Sequence, residues 1–132
     1  MKKRILIVLA DYYESISKDL LISAKEVLKE PFDLISVPGV FEIPISIAKN
    51  IKKYDGFIAL GCVIKGETPH FEFISKAAID GIMKLSIENK KPIGNGIITC
   101  LNKEQALARR KKGHEAAVAL LSVINQTKIS KK

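Results

Sequence analysis

His70 and the corner Gly66-Glu67-Thr68 before it are the residues whose types and spacing best suit chemistry. Thr68 stands where an N-cap hydroxyl is wanted, and Pro69 where a first helical residue has no use for an N–H. A helix start of this kind presents unpaired N–H groups and a partial positive charge, which can seat a phosphate. His70 then falls in the first turn, where an imidazole beside a bound anion can give and take a proton near neutral pH. From the residues alone, a surface His on a well-capped helix is the competing reading.

The elements that must position this corner are legible on either side of it. An apolar run from Phe57 to Ile64 precedes it, and Phe71, Ile74, Ala78, Ile82 and Leu85 follow at helical spacing. This predicts a strand, a tight loop and a helix from Pro69 to about Ile87. Ile5–Ala10 is continuously apolar, as in a strand covered on both faces. Ile16, Leu20, Leu21, Ala24, Val27 and Leu28 then trace a helix face that stops before Pro31. Phe32–Val37 reads as a strand, Pro38-Gly39 as a turn, and Pro44 opens a short helix. The last strand, Ile93–Cys100, carries Gly94 and Gly96, which predict a close backbone approach or a bend. Asn102 and Gln105 predict an N-cap with a reciprocal partner and a helix from Lys103. Gly113 reads as a break, Ala116–Ile124 as an apolar helix, and 127–132 as a frayed basic tail.

Four strand–helix repeats with long crossovers predict an α/β fold: a three-layer sandwich, a four-stranded parallel sheet with helices on both faces. In such sheets ligands bind beyond the carboxyl ends of the strands. The segments expected there are 11–14, 38–43 and 62–70, which are also the polar, glycine-bearing and aromatic loops.

Composition narrows the function classes. A chain of 132 residues, 47% hydrophobic and 27% charged, suits one soluble domain over 1–132. No apolar stretch approaches the roughly 20 residues that span a bilayer, so no membrane partner is expected. The basic, apolar start is cut short at Asp11-Tyr12-Tyr13-Glu14 with no small-residue cleavage site, which favours a buried strand over a signal peptide. A net charge of +8 admits nucleic acid or small anions. Aromatics are only 6% and none interleaves with the block Arg109-Arg110-Lys111-Lys112, so small anions are favoured and nucleic acid is not expected. Cys62 and Cys100 form neither metal nor disulfide spacing, so a reducing cytoplasm is expected.

Several motifs fail. Gly61-x-x-x-x-Gly66-Glu67-Thr68 has Glu67 where a P-loop needs its lysine, and no strand is followed by a dinucleotide fingerprint. The first loop lacks the Ser/Thr/Gly of an FMN site. What remains is one His, a phosphate corner, an aromatic platform and a carboxylate, with no metal and no cofactor expected. That set suits condensation of two reactive small molecules, where holding an amine against a carbonyl contributes about 7–11 kcal/mol.

Val37-Pro38-Gly39-Val40-Phe41-Glu42-Ile43-Pro44, the segment Gly61–His70 and Gly96-Ile97-Ile98-Thr99, in this order, resemble the lumazine synthase family. The resemblance runs from Ile5 to about Ile124. It implies a flavodoxin-like topology and condensation of 5-amino-6-(D-ribitylamino)uracil with 3,4-dihydroxy-2-butanone 4-phosphate to 6,7-dimethyl-8-ribityllumazine, phosphate and water, the penultimate step of riboflavin biosynthesis. By this resemblance His70 is the catalytic proton donor. Tyr12, Val40, Phe41, Glu42, Cys62, Val63, Ile64 and Asn95 contact the pyrimidine and its ribityl chain, and Glu67, Thr68, Arg109 and Lys112 the phosphate. Position 95 often holds Phe in the family, so Asn95 replaces stacking by hydrogen bonding. The connection after Arg109 and the N-terminal arm are both shorter than in many members. The resemblance also implies a homopentamer, in some members twelve pentamers in a shell, and riboflavin synthase as a further candidate partner. A non-catalytic carrier using the same pocket is the rival reading.

Overall fold

Ile5-Leu6-Ile7-Val8-Leu9-Ala10 has no polar side chain to offer solvent, and none of the six is more than 7% exposed. In the computed structural model, which describes residues 3–126, this segment is β1, an interior strand of a four-stranded sheet. The other strands are β2 (Phe32–Val37), β3 (Gly56–Ile64) and β4 (Ile93–Cys100). Their order is β2-β1-β3-β4, every pairing is parallel, and the registers set Ile5 opposite both Phe32 and Gly56. The tail expected at 127–132 lies outside the described residues.

Alternation along β1 splits the core in two. Ile5, Ile7 and Leu9 face a layer made by α1 (Glu14–Lys25), α4 (Lys103–Ala108) and α5 (Gly113–Ile124), through Ile16, Leu20, Ala106, Ala117 and Leu120. Leu6, Val8 and Ala10 face α2 (Ile43–Asn50) and α3 (His70–Asn89), through Ile43, Ile47, Ala78 and Ile82. The three-layer sandwich is therefore as expected from the pattern. β2 departs from it: Asp33, Leu34 and Ser36 are exposed, because β2 is an edge strand flanked by β1 alone.

Element ends show where local pattern was insufficient. The apolar face of α1 continues through Val27 and Leu28, yet the helix ends at Lys25; both N–H groups turn back to the Ala24 carbonyl, at 3.1 and 3.3 Å. α3 starts one residue later than Pro69. Pro69 is the cap, with ψ 5°, and its carbonyl accepts from the Glu72 and Phe73 N–H groups. The Thr68 hydroxyl does accept from the His70 N–H, but at 3.4 Å, the long limit for such a bond. Asn102 Oδ1 caps α4 by accepting from the Gln105 N–H at 2.9 Å. Gln105 Oε1 reciprocates one residue further back than a capping box, on the Leu101 N–H at 2.7 Å.

The glycines of β4 and α5 set how closely layers approach. A Cβ at Gly94 would overlap the Ala116 carbonyl, and one at Gly113 the Leu20 carbonyl. Gly113 is thus the first residue of α5 rather than only a break; the interruption lies at 109–112, before it. The nearby ion pair between Arg110 and Asp19, 3.6 Å long and half exposed, contributes at most about 1 kcal/mol. Close contact at Gly113 outweighs it. We predict that Gly113→Ala lowers stability by about 1–3 kcal/mol through overpacking, read as a drop in the urea midpoint with the slope unchanged. Arg110→Ala should move that midpoint far less.

Candidate active site

Parallel strands send every chain exit to the same edge, so the loops after β1, β2 and β3 meet there. They enclose a cavity of about 490 Å³. Tyr12 and Tyr13 enter from the loop after β1, and Val40, Phe41 and Glu42 from the turn that follows β2. The end of β3 supplies Cys62, Val63 and Ile64. Gly66 and Thr68 form the corner, and His70, Phe71 and Ile74 are the wall given by the first turns of α3.

Nine of the residues expected at the site therefore line one cavity: Tyr12, Val40, Phe41, Glu42, Cys62, Val63, Ile64, Thr68 and His70. Glu67, Asn95, Arg109 and Lys112 do not line it. Glu67 sits in the corner with its side chain in solvent. Asn95 lies in mid-strand on β4 opposite Ala59, where its Oδ1 accepts from the Ile97 N–H at 3.0 Å. Arg109 follows α4, and its Nη1 donates to the Thr99 carbonyl at 3.3 Å. Thr99 pairs in register with Val63, so this guanidinium stands at the carboxyl edge one strand from the cavity. Lys112 Nζ is 3.5 Å from Glu115. Sequence reasoning missed Tyr13, Phe71 and Ile74 as lining residues. The helical spacing of Phe71 and Ile74 marks them in the sequence only as positions on a helix's apolar face. Tyr13 gave a signal in its adjacency to Tyr12.

The lining combines a corner suited to an anion with a neutral, apolar wall. Among the described residues, the N–H groups of Gly66, Glu67 and Thr68 have no protein acceptor, and they lie ahead of a 20-residue helix. At the end of β3, burial first and Cys100 second push the Cys62 thiol up to about 12. Burial, then Cys62 and Tyr12, push the Tyr13 phenol up as well. Both groups stay protonated at neutral pH, so this wall carries no thiolate or phenolate. Among the described residues no group of three or more His, Cys, Asp or Glu side chains is placed to hold a metal ion. No helix there is long and apolar enough to cross a membrane.

Fold and cavity together define a parallel α/β protein with a cavity built from loops at the carboxyl edge of its sheet. The chain belongs to the 6,7-dimethyl-8-ribityllumazine synthase family, whose model matches residues 2–128. It is 45% identical to the 6,7-dimethyl-8-ribityllumazine synthase of Bartonella tribocorum, the match covering 93% of this chain and 89% of that one. It is 42% identical to the protein of that name from Agrobacterium fabrum, with 96% of each chain covered. The same name and identity hold for Blochmanniella pennsylvanica, over 98% of this chain and 91% of the relative.

Because the Cys62 thiol is raised from 9.0 to about 12 in the folded chain, the folded state holds a proton that the unfolded state releases above pH 9. Its contribution to stability is complete below pH 9 and is lost as pH rises toward 12. Wild type should therefore lose stability between these limits faster than Cys62→Ala, measured by denaturant unfolding at stepped pH.

Proposed function

We propose that this chain condenses 5-amino-6-(D-ribitylamino)uracil with 3,4-dihydroxy-2-butanone 4-phosphate to form 6,7-dimethyl-8-ribityllumazine. The observation that carries the proposal is the single cavity in which an aromatic platform, a histidine and unpaired N–H groups before a helix converge. The pyrimidine lies against Tyr12 and Phe41, with Val40, Cys62, Val63 and Ile64 along it and Glu42 toward the ribityl chain. The phosphate occupies the corner from Gly66 to Thr68, where the backbone matters more than the Glu67 side chain.

The amine attacks the ketone and water leaves to give an imine. Phosphate is then eliminated, and ring closure expels a second water. His70, at the corner and on the cavity wall, is within the same enclosure as both reactants and moves the protons. Arg109, at the neighbouring strand end, offers a guanidinium to the phosphate. Positioning supplies much of the rate, since both reactants are intrinsically reactive. Asn95 and Lys112 lie away from this cavity, and we assign them to a cavity shared with a second copy of the chain.

Such sharing is favoured by the surface beside the site. Phe41, Ile45, Phe73, Met83 and Ile87 are all more than half exposed, and a second groove is lined by Phe41, Pro44, Ile45 and Ala77. Apolar exposure of this extent marks an association surface. We place the chain, as one domain, in a homopentamer in the cytoplasm, where two unpaired buried cysteines are at home. Light scattering should give the mass of five copies; a monomer would remove the shared cavity.

Mixing the two substrates and following lumazine absorbance tests the reaction. Binding without turnover would favour a carrier that uses the same pocket. His70→Ala should slow turnover by about 10- to 1000-fold without abolishing it, because positioning remains. Complete loss with the fold intact would contradict that division of labour.

A further inference from the structure

Tyr12 is 73% exposed, so burial does not fix the plane of its ring. Tyr13 is differently placed. It is half-buried, packs on the core beneath α1 and α5, and lines the same cavity. Its carbonyl accepts from the Ser17 N–H at 2.9 Å, which ties its backbone to the first turn of α1. The two rings meet edge to face, with centroids 4.9 Å apart and planes at 84°. In that geometry the positive edge of one ring meets the negative face of the other, so the anchored ring dictates the plane of the exposed one.

We infer that Tyr13 is a positioning residue whose core-anchored ring holds Tyr12 as a preset aromatic wall for a flat heterocycle; this rests on the condensation proposed above. An exposed loop side chain that had to be ordered by the ligand would cost affinity, and holding it beforehand removes that cost. The role belongs to the ring. Burial raises the Tyr13 phenol further above neutral pH, so it adds no charge beside the heterocycle.

The test titrates 5-amino-6-(D-ribitylamino)uracil binding and both KM values in wild type, Tyr13→Phe, Tyr13→Leu, Tyr13→Ala, Tyr12→Ala and the double alanine variant. Tyr13→Phe should match wild type. Tyr13→Leu and Tyr13→Ala should weaken the pyrimidine about three- to tenfold, the worth of an aromatic edge contact, with kcat and the phosphate KM within about twofold. The double variant should bind no more weakly than Tyr12→Ala, since one residue acts through the other. Tyr13→Phe as damaging as Tyr13→Ala would transfer the role to the hydroxyl and overturn the inference. So would a Tyr13→Leu chain that binds like wild type, or an equal rise in both KM values. If Tyr13→Ala does not fold, Tyr13→Leu with an unchanged melting temperature decides. A wild-type chain that binds the pyrimidine without turnover would sink the condensation and leave the binding series to judge Tyr13.

Discussion

The constraint on which the molecule depends is the parallel pairing of β1 with a strand on either side. Parallel neighbours cannot be joined by a tight turn, so each connection must cross back over a face of the sheet. Those crossovers become the covering helices, and their burial of β1 on both faces is what makes a run of six apolar residues stable there. The same geometry leaves every loop that follows a strand at one edge. A site at that edge is a by-product of the pairing, available before any particular side chain is chosen.

What the side chains add is asymmetry within that site. At one end the chain turns into a long helix and leaves backbone N–H groups free to face an anion. On the wall given by β3 and the loop after β1, Cys62 and Tyr13 are neutral, and burial moves both further from ionising. His70 lines the same cavity from the first turn of α3. Rigid packing behind the loops keeps the ends in register: α5 rests directly on α1 and β4 because Gly113 and Gly94 present no side chain.

Much of this was legible in the residues because it depends on local preferences. The continuous apolar runs named the strands, with β1, β2 and β4 bounded as expected and β3 longer by Gly56. The Asn102–Gln105 spacing named the start of α4. The end of α1 was not legible, since Val27 and Leu28 still pack on the core from a turn and so keep a helical rhythm without the helix. Nor was the part of Gly113, which reads as a helix breaker until the Leu20 carbonyl is seen against it.

The sequence by itself determined the fold class, the strand bounds and the polar and aromatic loops that follow the strands, because hydrophobic period and turn chemistry act over a few residues. Only the tertiary structure decided which of those loops share a cavity. It brings Tyr12, Phe41 and His70 together although the chain separates them, and it stands Arg109 one strand away. It also turned Tyr13 from a neighbour in sequence into the support of Tyr12, since an edge-to-face contact depends on where each ring points. Spacing along a chain fixes what a residue can do; crossovers and packing distances fix what it can touch.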